Sequence, residues 1–309
     1  MNLRESVIEK VLSGCPNLEC LELDSVWGIH RLEISSVKLR KLIIKKYEDE
    51  SNDIWFEILV PYVHNLQLLG SCNSISLRNV ASLVTAVLYV DFDLGDGDEF
   101  RKKECSCLKE LLHSVAHVEN LDLGPWCIEG LSILELKGWQ PSPSSRKFLK
   151  LNAAIVQLDF PGLCSFLQSS SDLETLVIDW HNPEPRAFGF LMNFEGRELH
   201  LLFSFAHRGL LSRYTNEDEQ SRRFKTHNFN GSLLHLKTIK VFNFDGSLSG
   251  NKSVLQLVKY LLKNATVLEK FVIAAKFEGS DESQDYVKMA QDFQSFPRSS
   301  LHASVVFSY

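Results

Sequence analysis

One apolar frame recurs four times in this 309-residue chain with its internal spacing unchanged, and nothing else in the sequence restricts the possible folds as sharply. The copies run Ile8, Val11, Leu12 then Leu18, Leu21, Leu23; Leu108, Leu111, Leu112 then Val118, Leu121, Leu123; Leu163, Phe166, Leu167 then Leu173, Leu176, Ile178; and Val258, Leu261, Leu262 then Leu268, Phe271, Ile273. A glutamate follows the first residue of each second half, at Glu19, Glu119, Glu174 and Glu269. The first half has the i, i+3, i+4 spacing of one helix face and the second the alternation of a short strand, so each copy predicts helix, turn, strand. Such a unit has an apolar side that it cannot bury alone, and stacking units side by side buries those sides in one core.

The second half alone, apolar-x-x-apolar-x-apolar, returns at Leu39-Leu42-Ile44, Val63-Leu66-Leu68, Leu83-Ala86-Leu88, Leu131-Leu134-Leu136 and Leu236-Ile239-Val241, which is the strand signature of leucine-rich repeats. Leucine fills 47 positions. The fold class expected is therefore α/β: a leucine-rich-repeat solenoid with parallel strands on the concave face, helices on the convex face and an α/β cap at its C-terminal end. Ile29-Leu32-Ile34 falls between two strands and reads as a short strand or bend on the outer face. The frame is lost between His181 and Asn230, where Leu199 to Phe205 is one further strand candidate. Three segments follow: repeats over 1–180, an irregular linker or insert over 181–230, and a capping unit over 231–309. The last holds a helix near 252–263, a strand near 271–274, a helix near 284–296 and a final strand near 303–307.

Pro16-Asn17-Leu18-Glu19-Cys20-Leu21-Glu22-Leu23, Ser171-Asp172-Leu173-Glu174-Thr175-Leu176-Val177-Ile178 and Leu233-Leu234-His235-Leu236-Lys237-Thr238-Ile239-Lys240-Val241 resemble segments of the plant F-box/leucine-rich-repeat family. The stretch from about Leu233, including Leu261-Leu262-Lys263-Asn264-Ala265-Thr266-Val267-Leu268, resembles the FBD domain that closes many of those chains. The resemblance implies a substrate receptor of a cullin-RING ubiquitin ligase, in which an F-box docks on a Skp-type adaptor and the repeats hold the target. No stretch ahead of the first repeat resembles an F-box, so adaptor docking is expected only if one exists upstream.

Strand positions between the leucines point to the opposite side of the sheet. They are Cys20, Glu22, Asp24, Lys41, Ile43, Lys45, Asn65, Gln67, Leu69, Asn120, Asp122, Glu135, Lys137, Thr175, Val177 and Asp179. This mixed strip suits a target protein or peptide, with charges orienting it and apolar members anchoring it. Two alternatives are a small-ligand sensor whose 181–230 segment closes a pocket over that face, and an interaction fragment without a ligase role.

Other chemistries find less support. A formal net charge of −6 with dispersed cations argues against nucleic acid as a partner. The most apolar run, Leu83 to Val90, is too short to cross a membrane. Seven cysteines without a CxxC pair suit reduced thiols in the cytoplasm or nucleus. His113 and His117 lack an HExxH context, Cys105 and Cys107 lack further zinc ligands, and the acidic run Asp91 to Glu99 places Asp96 where a calcium loop needs glycine. Gly246-Ser247-Leu248-Ser249-Gly250 has leucine where a nucleophile elbow has serine. Neither a metal, a cofactor nor an enzymatic activity is expected.

Overall fold

The computed structural model describes residues 5–48, 55–71, 75–91, 98–152, 155, 157–180, 219, 222–223, 225, 231, 233–244, 248–275 and 290–308. The chain is α/β with parallel strands, in two compact units, 1–127 and 128–309.

In the first unit α1 (Glu5–Gly14) leads into β1 (Cys20–Trp27), and β2 (Arg31–Glu33), β3 (Lys41–Glu48), β4 (Phe56–Leu59), β5 (Asn65–Ser71), β6 (Ile75–Arg78) and β7 (Thr85–Asp91) follow. Then come α2 (Asp98–Ser114) and β8 (Asn120–Leu123). Strands β1, β3, β5, β7 and β8 pair in that order, all parallel. The leucine frame sets the register, because Leu21, Leu42, Leu66, Ala86 and Leu121 lie side by side, as do Leu23, Ile44, Leu68, Leu88 and Leu123. Except for Leu21, half-buried in the outermost of these strands, all are buried.

Strands β2, β4 and β6 form a second parallel sheet, aligning Leu32, Ile58 and Leu77. The Ile29-Leu32-Ile34 segment is the outer strand that its spacing suggested, and β4 and β6 continue this layer over two further turns where helices were expected. The physical reason lies in their brevity: residues 28–40 and 71–84 leave little room for a helix of three turns, whereas a four-residue strand spans the distance. Helix α2 takes over where the chain lengthens. Its buried Cys107 meets the Ile75 backbone, and Glu110 accepts a hydrogen bond from Ser76 Oγ at 2.7 Å.

Helix α3 (Pro125–Leu136) spans the boundary between the units. The second unit continues with β9 (Phe148–Asn152), a 3-10 turn (Gln157–Asp159), α4 (Phe160–Gln168), β10 (Thr175–Asp179), β11 (Thr238–Phe244), α5 (Leu248–Asn264), β12 (Lys270–Ala275) and β13 (Ser304–Ser308). The five strands are parallel and paired in sequence order, aligning Leu149, Leu176, Ile239, Phe271 and Val305 in one row. Residues 290–295 are helical; 284–289, the other half of the expected helix, lie outside the described residues, as does the strand candidate Leu199 to Phe205.

In two of the copies the recurring glutamate accepts a pair of hydrogen bonds through its backbone. Glu19 carbonyl accepts from the N–H groups of Arg40 and Lys41 at 2.8 and 3.0 Å, and Glu174 carbonyl from Lys237 and Thr238 at 3.0 Å each. Arg40, His64, Lys147 and Lys237 occupy the same position on other turns and do the same. A carbonyl with two lone pairs thus joins neighbouring strands at these six positions, and because the contact is made by the backbone it does not require glutamate there.

The strand expected at Leu131-Leu134-Leu136 is instead the second half of α3. Cys127, Ile128, Leu131 and Leu134 fall on one helix face and are buried. Pro125 suits the first helical position, and the end is a Schellman turn: Gly138 (φ +78°) N–H donates to Glu135 O and Trp139 N–H to Leu134 O. The strand of this turn is β9.

Candidate partner-binding face

In each unit the side chains between the core rows line the opposite face of the sheet. In the first unit Glu22, Ile43, Gln67, Val87 and Asp122 share one row; Cys20, Lys41, Asn65, Thr85 and Asn120 share the next. Much of this polarity is satisfied locally. Lys45 Nζ donates to Glu22, whose carboxylate holds the ammonium above the usual lysine range. Asp24 accepts from Ser25 Oγ at 3.0 Å, Asp122 from Tyr89 Oη at 3.0 Å, and Thr85 from Asn120 Nδ2 at 3.4 Å. Gln67 reaches Asn65 at 3.4 Å, and Leu69 is half-buried beside them. Ile43 is only 7% exposed, so it supplies support more than anchorage.

In the second unit Thr175, Val177 and Asp179 lie on the face as expected, Val177 being buried. Asp179 accepts from Asn243 Nδ2 at 2.7 Å and pairs with Lys150 at 3.4 Å. Glu135 and Lys137 do not join them, because their residues end and follow α3: Glu135 is half-buried against Arg223, and Lys137 is exposed. The residues that take their place, Lys150 on β9 and Lys240 on β11, were absent from the expected set. Lys240 was legible by alternation between Ile239 and Val241; Lys150 was hidden with its strand.

Beneath β9 lies a buried cation. Arg146, 1% exposed, stacks its guanidinium 4.4 Å from the centre of the Phe166 ring and donates from Nε to Ser144 Oγ at 2.8 Å, while Nη1 has no hydrogen-bond partner among the described residues. Burial pushes its pKa down to about 10. It occupies the place that Leu173 and Leu236 hold on later turns, three residues before the first core residue of the strand, and its aliphatic stem substitutes for leucine there.

The other sequence candidates sit in structural roles. His113 is exposed at the end of α2, and His117 Nε2 lies 3.0 Å from Val80 O. Cys105 is half-buried and Cys107 wholly buried. Among the described residues no three His, Cys, Asp or Glu groups are placed to hold a metal, and no described helix is long and apolar enough to cross a membrane. Most of the acidic run from Asp91 to Glu99 and nearly all of the 181–230 segment lie outside the described residues. So do the first two residues of the Gly246 to Gly250 stretch, whose remainder opens α5.

The six described cysteines differ in exposure, and their environments separate them. Burial pushes the Cys164 thiol up to about 12, and burial likewise raises the Tyr260 hydroxyl. At pH 8 iodoacetamide is expected to label exposed Cys15 and Cys20 on the order of a hundredfold faster than Cys164, read by peptide mass mapping. Equal rates in the native protein would contradict this packing. The linked effect on stability has a definite sign: as pH climbs from 9 towards 12 the unfolded thiol ionises first, so the folded state loses this contribution.

The family model for FBD matches residues 232–273, which hold β11, α5 and most of β12. Several Arabidopsis thaliana proteins are similar over longer stretches. One with an F-box/LRR-repeat name is 32% identical over 208 residues, covering 64% of this chain and 44% of the relative. A second F-box/LRR-repeat protein is 27% identical over 309 residues, covering 99% and 57%. A third, with an F-box/FBD/LRR-repeat name, is 24% identical over 295 residues, covering 92% and 57%. The chain spans about half the length of most of the curated relatives it matches.

Proposed function

For this chain, a relative of the plant F-box/leucine-rich-repeat/FBD proteins, we propose the role of a non-catalytic protein-recognition module of the cytoplasm or nucleus. In this reading the turns build a leucine-rich-repeat solenoid whose strand face is concave and grips a target protein. The module is the target-holding part of an SCF-type ubiquitin ligase receptor, docked on a Skp-type adaptor wherever an F-box is joined to it. The observation that carries the reading is the repeated pairing of a buried leucine row with an opposite row of varied polar and aliphatic groups. Such rows offer hydrogen-bond donors, acceptors, charges and short apolar anchors to another macromolecule.

The test uses the full-length gene product in plant cells. Proximity labelling should capture a Skp-type adaptor together with a set of proteins that accumulate when cullin-RING activity is inhibited. Gln67→Arg with Thr175→Arg, both on the strand face, should abolish capture of that set while leaving adaptor capture and the circular dichroism spectrum unchanged. Targets retained by the double variant would refute the face; absence of the adaptor would refute the ligase connection.

A further inference from the structure

The two strand faces differ in how their charge is balanced. In the first unit the described ionic side chains on the face are Glu22, Asp24 and Asp122 against Lys41 and Lys45, a slightly acidic set in which Lys45 and Glu22 neutralise each other. In the second unit three lysines, Lys150, Lys240 and Lys270, share the face with one acid, Asp179, and that acid is committed to Lys150 and Asn243. Lys240 and Lys270 therefore stand without an acidic partner among the described residues, on a chain whose formal net charge is −6. They are diagonal neighbours on β11 and β12, about 8 Å apart at the backbone from strand spacing and rise. Like charges at that separation on a sheet repel, and an anion between them relieves the repulsion.

Beside them the same face is aliphatic. Val272 is directly opposite Lys240 in register, and Val306 on β13, 40% exposed, is the next member of that row. Two cations adjoining two valines form a surface for a segment that carries carboxylates next to a hydrophobic side chain. Phosphate backbones suit it poorly: arginine is missing from the described face and the valines interrupt the cations.

We propose that the strand face of residues 128–309 is a docking site for an acidic protein segment, with its carboxylates against Lys240 and Lys270 and an aliphatic side chain against Val272 and Val306. The proposal rests on the recognition reading above and adds the chemistry of the ligand. Lys150, held by Asp179, positions the edge of the site without binding an external anion.

The test is fluorescence anisotropy on the purified full chain with three labelled probes: a decapeptide alternating glutamate and valine, its lysine–valine counterpart, and a 20-nucleotide single-stranded DNA. The glutamate–valine peptide is expected to bind at least about tenfold more tightly than the other two, and to weaken as salt rises. Lys240→Glu with Lys270→Glu should weaken it by about tenfold or more, and Lys240→Gln with Lys270→Gln by less, at unchanged thermal melting. Lys109→Glu, at an exposed position of α2 away from either strand face, should leave it unaltered. Equal binding of the two peptides, tighter binding of the DNA, or indifference to both double variants would overturn the proposal. Because the probe is synthetic, such a result removes the acidic ligand while target capture in cells still decides the recognition reading.

Discussion

Truncating Leu176 to alanine is expected to remove about 2–5 kcal/mol of stability, a large share of the 5–15 kcal/mol that holds a typical domain together. Leu176 is fully buried on the middle one of the three strands that it joins, flanked in register by Leu149 and Ile239. Its removal leaves a void that rigid neighbours on two strands cannot fill. Urea unfolding followed by far-ultraviolet circular dichroism should show the loss as a lower midpoint. Leu301→Ala is the control: that side chain is 94% exposed, and its truncation should change stability by no more than about 0.5 kcal/mol. A Leu176 variant as stable as the control would mean that the row does not form the core.

Adding a single methyl group should be nearly as damaging at Gly162, inside α4. A Cβ there would lie 2.5 Å from the Leu131 carbonyl carbon and 2.5 Å from the Ser132 nitrogen, both backbone atoms of α3. Neither can swing aside as a side chain would, and Ser132 Oγ, donating to Asp159 O at 3.2 Å, ties the two segments at the same point. Helix propensity alone favours alanine over glycine by about 1 kcal/mol, so the intrinsic preference and the packing have opposite signs. The packing wins, and Gly162→Ala is expected to cost about 2 kcal/mol or more, measured by the same unfolding curve. Gly14→Ala, where a Cβ meets nothing within 4 Å, should be neutral or slightly stabilising. Equal behaviour of the two variants would show that the helices do not approach as described.

The rows of the core were readable because strand alternation and helix spacing leave different periods in the same leucines, as at Leu108 to Leu123 and Leu163 to Ile178. Where both periods fit, reading failed. Leu131-Leu134-Leu136 satisfies a strand motif and a helix face at once, and only Pro125 ahead of it and Gly138 behind it decide for the helix. Strand β9 escaped notice for the opposite reason: its frame opens on Arg146, and a pattern search for apolar residues does not expect a cation to be buried over a phenylalanine. The second sheet was half legible, since Leu32 announced a strand or bend but not the partners Ile58 and Leu77, whose pairing is a tertiary fact. On the strand face, alternation located Glu22 and Lys45 but not their mutual contact, and it placed Glu135 and Lys137 on a strand that does not exist.

The in-register ladder of the first unit bears on how such a gene tolerates rearrangement. Because Leu21 aligns with Leu42 and Leu42 with Leu66, excising one whole period would bring Leu21 beside Leu66 with nothing shifted, and on the other layer Leu32 beside Leu77. Unequal crossing-over between neighbouring periods thus yields offspring of altered length whose joints still match, so copy number can drift where single-residue deletions inside a strand cannot.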